Sequence, residues 1–109
     1  MELRHLRYFS VLAEELHFGR AARRLSISQP PLSVAIRQLE DTVGARLFER
    51  NSKEVRLTPA GDALRVSARR LLQQAEEAAL EARDIAQGSA GRLRIGFVGA
   101  MLYRGLPQA

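Results

Sequence analysis

Gln29-Pro30-Pro31-Leu32-Ser33-Val34-Ala35-Ile36-Arg37-Gln38-Leu39-Glu40-Asp41-Thr42-Val43-Gly44 is the stretch on which the reading of this chain turns. Proline is tolerated in the first turn of a helix, where its missing N–H is not needed. A residue before proline is pushed toward extended geometry, so Gln29 is expected just outside the helix. Leu32, Ile36, Leu39 and Val43 recur at helical spacing and form one apolar stripe, while Pro30, Ser33, Val34 and Arg37 share the opposite side. Gly44 supplies a C-cap. The stretch is therefore a helix with one face for a core and one face for something else.

Upstream, Leu3, Leu6, Phe9, Ala13 and Leu16 repeat at steps of three and four, which predicts a first helix from about Glu2 to Leu16. His17-Phe18-Gly19 interrupts it, with Gly19 expected as the N-cap of a short second helix, Arg20 to Leu25. Its alanines, Ala21 and Ala22, permit close approach of another helix. Ser26-Ile27-Ser28 is a brief break before Gln29. Two helices joined by a tight turn, the second two-faced, form the helix-turn-helix pattern.

Downstream, Leu47–Arg50 and Val55–Thr58 look like short strands joined by the turn Asn51-Ser52-Lys53-Glu54. A basic-tipped hairpin in this place is a wing. Thr58-Pro59 then opens a helix that runs to Gly88, about 30 residues or about 45 Å. Leu64, Ala68, Leu71, Ala75, Ala78, Ala82 and Ile85 are spaced alternately by four and three along it, an uninterrupted heptad seam expected to meet a second copy. Leu72, Ala79 and Ala86 widen that face. Arg65, Arg69 and Arg70 occupy its first half, and Glu76, Glu77, Glu81 and Asp84 its second. After Gly88-Ser89-Ala90-Gly91, the stretch Arg92–Gly99 reads as an opening strand, and one strand makes no domain. The expected fold is thus mainly α: a winged helix-turn-helix over residues 1–58, a long C-terminal dimerisation (linker) helix over 59–88, and at 89–109 a hinge and the first strand of a truncated further domain.

Composition narrows the function. The 109 residues are 46% hydrophobic, enough for a modest core. Cysteine is absent, so no disulfide or thiolate chemistry is available. His5 and His17 are isolated, and surface positions beside helices are expected for both, with no metal site. No basic leader with an apolar run opens the chain, and Ile95–Leu106 is too short to span a bilayer, so a cytoplasmic protein off the membrane is expected. The net charge of +5 favours a polyanionic partner. No acidic residue falls between Leu16 and Leu39, where Arg20, Arg23, Arg24 and Arg37 lie. No paired carboxylates, Ser/His/Asp set or phosphate loop can be assembled, which argues against an enzyme.

The stretch Phe18-Gly19-Arg20-Ala21-Ala22-Arg23-Arg24-Leu25-Ser26-Ile27-Ser28-Gln29-Pro30-Pro31-Leu32-Ser33 closely resembles the LysR-type transcriptional regulators. So do Ile36-Arg37-Gln38-Leu39-Glu40, Gly44, Leu47-Phe48-Glu49-Arg50 and Leu57-Thr58-Pro59-Ala60-Gly61. The resemblance covers residues 1 to about 88. It implies a bacterial regulator that binds double-stranded DNA as a homodimer at a promoter site with dyad symmetry. The full-length protein would usually be a tetramer that answers a small-molecule inducer through a periplasmic-binding-protein-like domain, of which Arg92 onward looks like the start. No cofactor is implied. Three positions depart from the family's habit. Gly19 stands where Ser or Thr commonly caps the second helix, and Val34 where Arg is common in relatives that read bases there. Phe97-Val98-Gly99-Ala100 resembles the family members that sense aromatic-degradation intermediates, in which a hydroxyl residue often follows the glycine and touches the inducer, and here that residue is Ala100.

On this reading the third helix enters the major groove by its N-terminus. Gln29 suits adenine N6/N7, Arg37 guanine or phosphate, Pro30, Pro31 and Val34 the thymine methyl group, and Ser33 either base or phosphate. Arg20, Arg23, Arg24, Ser28, Arg50, Lys53 and Arg56 are candidates for the DNA backbone. The rival readings are another winged-helix or architectural DNA binder, and a helical interaction module whose basic residues only keep it soluble.

Overall fold

The computed structural model describes residues 1–88, so the expected hinge, the Arg92–Gly99 strand and Ala100 lie outside the described residues. The chain is mainly helical: α1 (Leu3–Glu15), α2 (Phe18–Leu25), α3 (Gln29–Val43), β1 (Phe48–Arg50), β2 (Val55–Leu57) and α4 (Pro59–Ala86). Contacts group Met1–Leu72 into one compact unit and the described residues from Gln73 to Gly88 into a second.

In the first unit the three short helices close on a single apolar core. Leu6, Phe9, Leu12 and Ala13 of α1 face Ala21 and Ala22 of α2 and Leu32, Ile36 and Leu39 of α3, all buried. Because the α2 contacts are alanines, the other two helices come close without a gap. Sharp turns separate the helices. Leu16, with φ of 52°, ends α1, and its N–H donates to Leu12 O at 2.7 Å. Ser26, with φ of 58°, ends α2 and lets Ile27 N–H reach back to Ala22 O at 3.0 Å, a Schellman closure.

β1 and β2 pair antiparallel, Phe48 opposite Leu57 and Arg50 opposite Val55. The turn between them is held by Asn51, whose Oδ1 accepts from the N–H groups of Lys53 (2.8 Å) and Glu54 (3.0 Å). Such side-chain closure is the reason Asn suits this place. Phe48 is buried, and its ring meets that of Phe9 with centroids 5.4 Å apart, so the hairpin is anchored in the helical core. Thr58 caps α4: its Oγ1 accepts from Gly61 N–H at 2.9 Å and donates to Arg46 O at 2.7 Å. At Gly61 the start of α4 crosses the backbone of Leu47 so closely that a Cβ would lie 2.1 Å from the Leu47 carbonyl oxygen. No other residue type fits there without displacement.

Three local expectations are corrected. Gly19 is not the cap of α2. The helix begins earlier, and the His17 imidazole caps it, Nδ1 accepting from Arg20 N–H at 3.0 Å. Gln29 lies inside α3 as its first residue, with Ser28 at the N-cap position; the proline constraint disfavours the helical region for the preceding residue without forbidding it. Val43 does not continue the buried stripe but is 42% exposed, because α3 rotates Ala35 and Glu40 inward instead.

Candidate nucleic-acid interface

Leu32 and Ile36 are fully buried, which fixes how α3 is turned. Gln29, Pro30, Pro31, Val34 and Arg37 are then exposed together and Ser33 is half-buried. The outward surface of the first turns therefore carries an amide, two prolines, a hydroxyl, a β-branched side chain and, one turn on, a guanidinium. Ser28 is exposed and its hydroxyl makes no cap bond. An N-cap hydroxyl accepts from the second or third helical N–H, and here Pro30 and Pro31 occupy those positions and have none. The serine is left available.

The candidate backbone-contacting cations divide into two sets. Arg20 pairs with Glu15 at 3.2 Å, and Arg24 with Glu14 at 2.8 Å and Glu15 at 3.0 Å. These bonds clamp α2 to the end of α1. Hydrogen bonds from Arg24 and then Arg20 hold the Glu15 carboxyl below its ordinary range, and those to Glu14 and Glu15 raise the Arg24 guanidinium. Arg50 meets Glu40 at 3.5 Å and Arg56 meets Glu54 at 3.3 Å. Among the described residues, Arg23, Arg37 and Lys53 make no ion pair; Lys53 stands at the exposed tip of the hairpin. The unencumbered positive charge is thus spread over α2, α3 and the wing.

Between α3 and the hairpin runs an open groove of about 760 Å³, bordered by Phe18, Ser33, Arg37, Arg46 and Arg50 and floored by Glu40. Glu40 is the residue that sequence reasoning missed. It is only 8% exposed. Its Oε2 accepts from Leu47 N–H at 2.8 Å and Phe48 N–H at 3.4 Å, and its Oε1 from Arg50 at 3.5 Å, with Arg46 Nε 3.7 Å away. Arg50 in turn lies over the Phe18 ring, 5.5 Å from its centroid. One carboxylate thereby ties the back of α3 to the first wing strand and, through Arg50, to the start of α2. Its spacing was the available signal: position 40 follows Ile36 by four, on the buried face.

The apolar row of α4 falls into two parts. In the first unit Ala68 is fully buried in the chain's own core and Leu64 and Leu72 pack against it, so Ala68 has no surface left for a partner. Leu71, in the same unit, is 40% exposed, and Val66, which the heptad spacing does not select, is 50% exposed. In the second unit Ala75 is half-buried, while Ala78, Ala82 and Ile85 are exposed. Among the described residues no cluster of His, Asp and Glu could hold a metal ion, and no helix is long and apolar enough to cross a membrane.

Residues 3–62 match the family model described as bacterial regulatory helix-turn-helix protein, lysR family. The chain is 56% identical over 97 residues to the HTH-type transcriptional regulator YnfL of Escherichia coli (strain K12), covering 89% of this chain and 33% of that protein. It is 50% identical over 107 residues to the HTH-type transcriptional regulator AlsR of Bacillus subtilis (strain 168), covering 98% of this chain and 35% of that one. The chain thus spans about a third of the length of these relatives. Among solved structures, it resembles the DNA-binding domain of BenM in complex with catB site 1 DNA, with a TM-score of 0.77 and 44% identity over 81% of this chain and 99% of that one. The CbnR DNA-binding domain in complex with DNA gives 0.76 and 40%, over 79% and 99%. Family model, relatives and fold agree with the geometry of α2, α3 and the hairpin: this chain belongs to the LysR family of bacterial helix-turn-helix regulators.

Proposed function

We propose that this chain is the DNA-binding part of a longer LysR-type transcriptional regulator, which reads a dyad-symmetric promoter site in double-stranded DNA as a homodimer. The observation that carries the reading is the orientation of α3, with Leu32 and Ile36 inward and Gln29, Pro30, Pro31, Val34 and Arg37 outward on one surface. A helix presented this way fits the major groove. In it, Gln29 pairs with adenine N6/N7, Pro30, Pro31 and Val34 meet thymine methyl groups, and Ser33 and Arg37 reach base or phosphate. Arg23, Lys53 and Ser28 hold the backbone, joined by Arg20, Arg24, Arg50 and Arg56 to the extent that phosphate displaces their carboxylate partners. That BenM and CbnR domains of this fold were solved on DNA supports the assignment.

The division of labour follows: residues 1–58 read DNA, 59–88 join two copies, and 89–109 lead into an effector domain. Leu71, Ala75, Ala78, Ala82 and Ile85 form the exposed part of the joining row, with Leu64 and Ala68 bracing it from within. The full-length protein is a tetramer whose response to a small-molecule inducer needs the effector domain. It works in the cytoplasm, where the DNA is, and is not an enzyme. Footprinting with the purified chain tests this reading. Protection of a site with dyad symmetry is expected; uniform coating of any DNA would instead indicate an architectural binder.

A further inference from the structure

The outward face of α3 is bordered by a different element on each side. On one side Ser33 and Arg37 open into the groove that leads to the hairpin. On the other lies a smaller recess of about 280 Å³, bordered by Pro31, Val34 and Gln38 of α3 and by Arg4, His5 and Tyr8 of α1. Pro31 and Val34 belong both to this recess and to the outward surface itself, so whatever seats on that surface comes within reach of α1. No acidic residue lines the recess, whereas Glu40 and Asp41 line the groove opposite. Arg4 is exposed and, among the described residues, makes no ion pair and no side-chain hydrogen bond. His5 and Tyr8 are half-buried beside it.

An α-helix with its side chains is about 10–12 Å across and the major groove about 12 Å wide, so a helix seated there has a phosphate ridge along each side. The hairpin, with Lys53 at its tip, borders one side of α3. We propose that the start of α1 grips the ridge on the other side, with Arg4 as the charged contact and His5 and Tyr8 as neutral donors beside it. A guanidinium supplies the charge that phosphate needs, and an imidazole N–H and a phenol O–H are donors that phosphate oxygens accept. Held on both ridges, α3 is fixed in depth and tilt, while Arg4 itself reads no sequence. The inference rests on the proposed major-groove reading of α3.

Salt titrations of the purified chain on a selected operator and on random DNA test the contact. Arg4→Gln should flatten the slope of log K against log salt by about 0.9 per subunit, on both DNAs alike. Arg4→Lys should keep the wild-type slope, because it keeps the charge. Arg7→Gln, which removes an exposed cation of the same helix that does not border the recess, should also leave it unchanged. The Arg4 side chain is unbonded, so the melting temperature of Arg4→Gln should match wild type. Single neutral methylphosphonates in the operator then locate the contact. The position whose neutralisation no longer weakens Arg4→Gln should lie across the major groove from the one that no longer matters to Lys53→Ala. An unchanged slope in Arg4→Gln while Lys53→Ala flattens overturns the inference, as does equal flattening in Arg7→Gln, or one shared ridge for Arg4 and Lys53. If neither Lys53→Ala nor Arg4→Gln alters the slope, the major-groove reading itself fails and the inference falls with it.

Discussion

Replacing Glu40 with alanine should destabilise the compact unit Met1–Leu72 far more than its charge on a helix would suggest. The carboxylate is the acceptor for two backbone N–H groups, those of Leu47 and Phe48, and both residues are fully buried. A buried donor without an acceptor costs about 1–3 kcal/mol. The Phe48 bond, at 3.4 Å, is the weaker, so the pair together is worth about 2–4 kcal/mol. The guanidinium partners add little, because Arg46 is 64% exposed and Arg50 30% exposed. A unit ending at Leu72 has a total stability on the order of 4–11 kcal/mol. The loss should therefore lower the melting temperature by about 10–30 °C, at about 4–8 °C per kcal/mol in a domain of this size. Glu40→Gln keeps an amide oxygen for the same N–H groups and should lose less than about 1.5 kcal/mol. Thermal unfolding followed by circular dichroism reads both. An alanine variant that melts within about 3 °C of wild type would refute the idea that Glu40 joins α3 to the wing.

Gly61→Ala should cost more than about 2 kcal/mol in the same assay, since the added carbon meets the Leu47 carbonyl oxygen at 2.1 Å and the Leu57 side chain at 2.9 Å; a neutral substitution would mean that α4 does not cross there. Lys53→Ala should weaken specific and random DNA alike and flatten the dependence of log K on log salt by about one unit per subunit. Arg24→Ala removes a guanidinium that must first give up Glu14 and Glu15, so it should flatten that slope by clearly less than Lys53→Ala does; salt titrations of the two variants distinguish them. Glu15 has its pKa lowered in the folded chain by Arg24 and Arg20. Its contribution to stability is complete above the ordinary Glu pKa of about 4.3 and is lost as pH falls through the lowered value. Denaturant midpoints of Glu15→Gln should accordingly fall less steeply on acidification than those of wild type, and parallel curves would contradict the assigned pairing.

Much of this architecture is legible in the sequence because it follows from local rules. Pro30-Pro31, Thr58-Pro59, Gly44 and the three-and-four spacing of Leu6, Phe9, Leu32, Ile36 and Leu39 each act within a turn or two of the chain, and each element appears within about two residues of its expected bounds. The failures share a physical origin in contacts between elements. His17 caps α2 with a ring nitrogen, which no rule favouring small hydroxyl or amide caps would select. Glu40 is buried because two N–H groups of another segment need an acceptor, and a charge in sequence looks like solvent-facing surface. Ala68 satisfies the heptad spacing, yet the chain's own core lies over it. Arg20 and Arg24 count as free cations until their partners on α1 are seen. Periodicity identifies which face of a helix is apolar, and only the packed structure says what covers it.

Affinity of the Gln29→Ala chain for its selected operator and for random DNA, measured side by side at one salt concentration, bears most directly on the outward face of α3. A loss of about 1–3 kcal/mol on the operator with little change on random DNA is what the proposed base-reading role of Gln29 predicts, since an amide neutralises no phosphate. Equal losses on the two DNAs would mean that this face touches backbone only, and the proposed reading of sequence by α3 would fail.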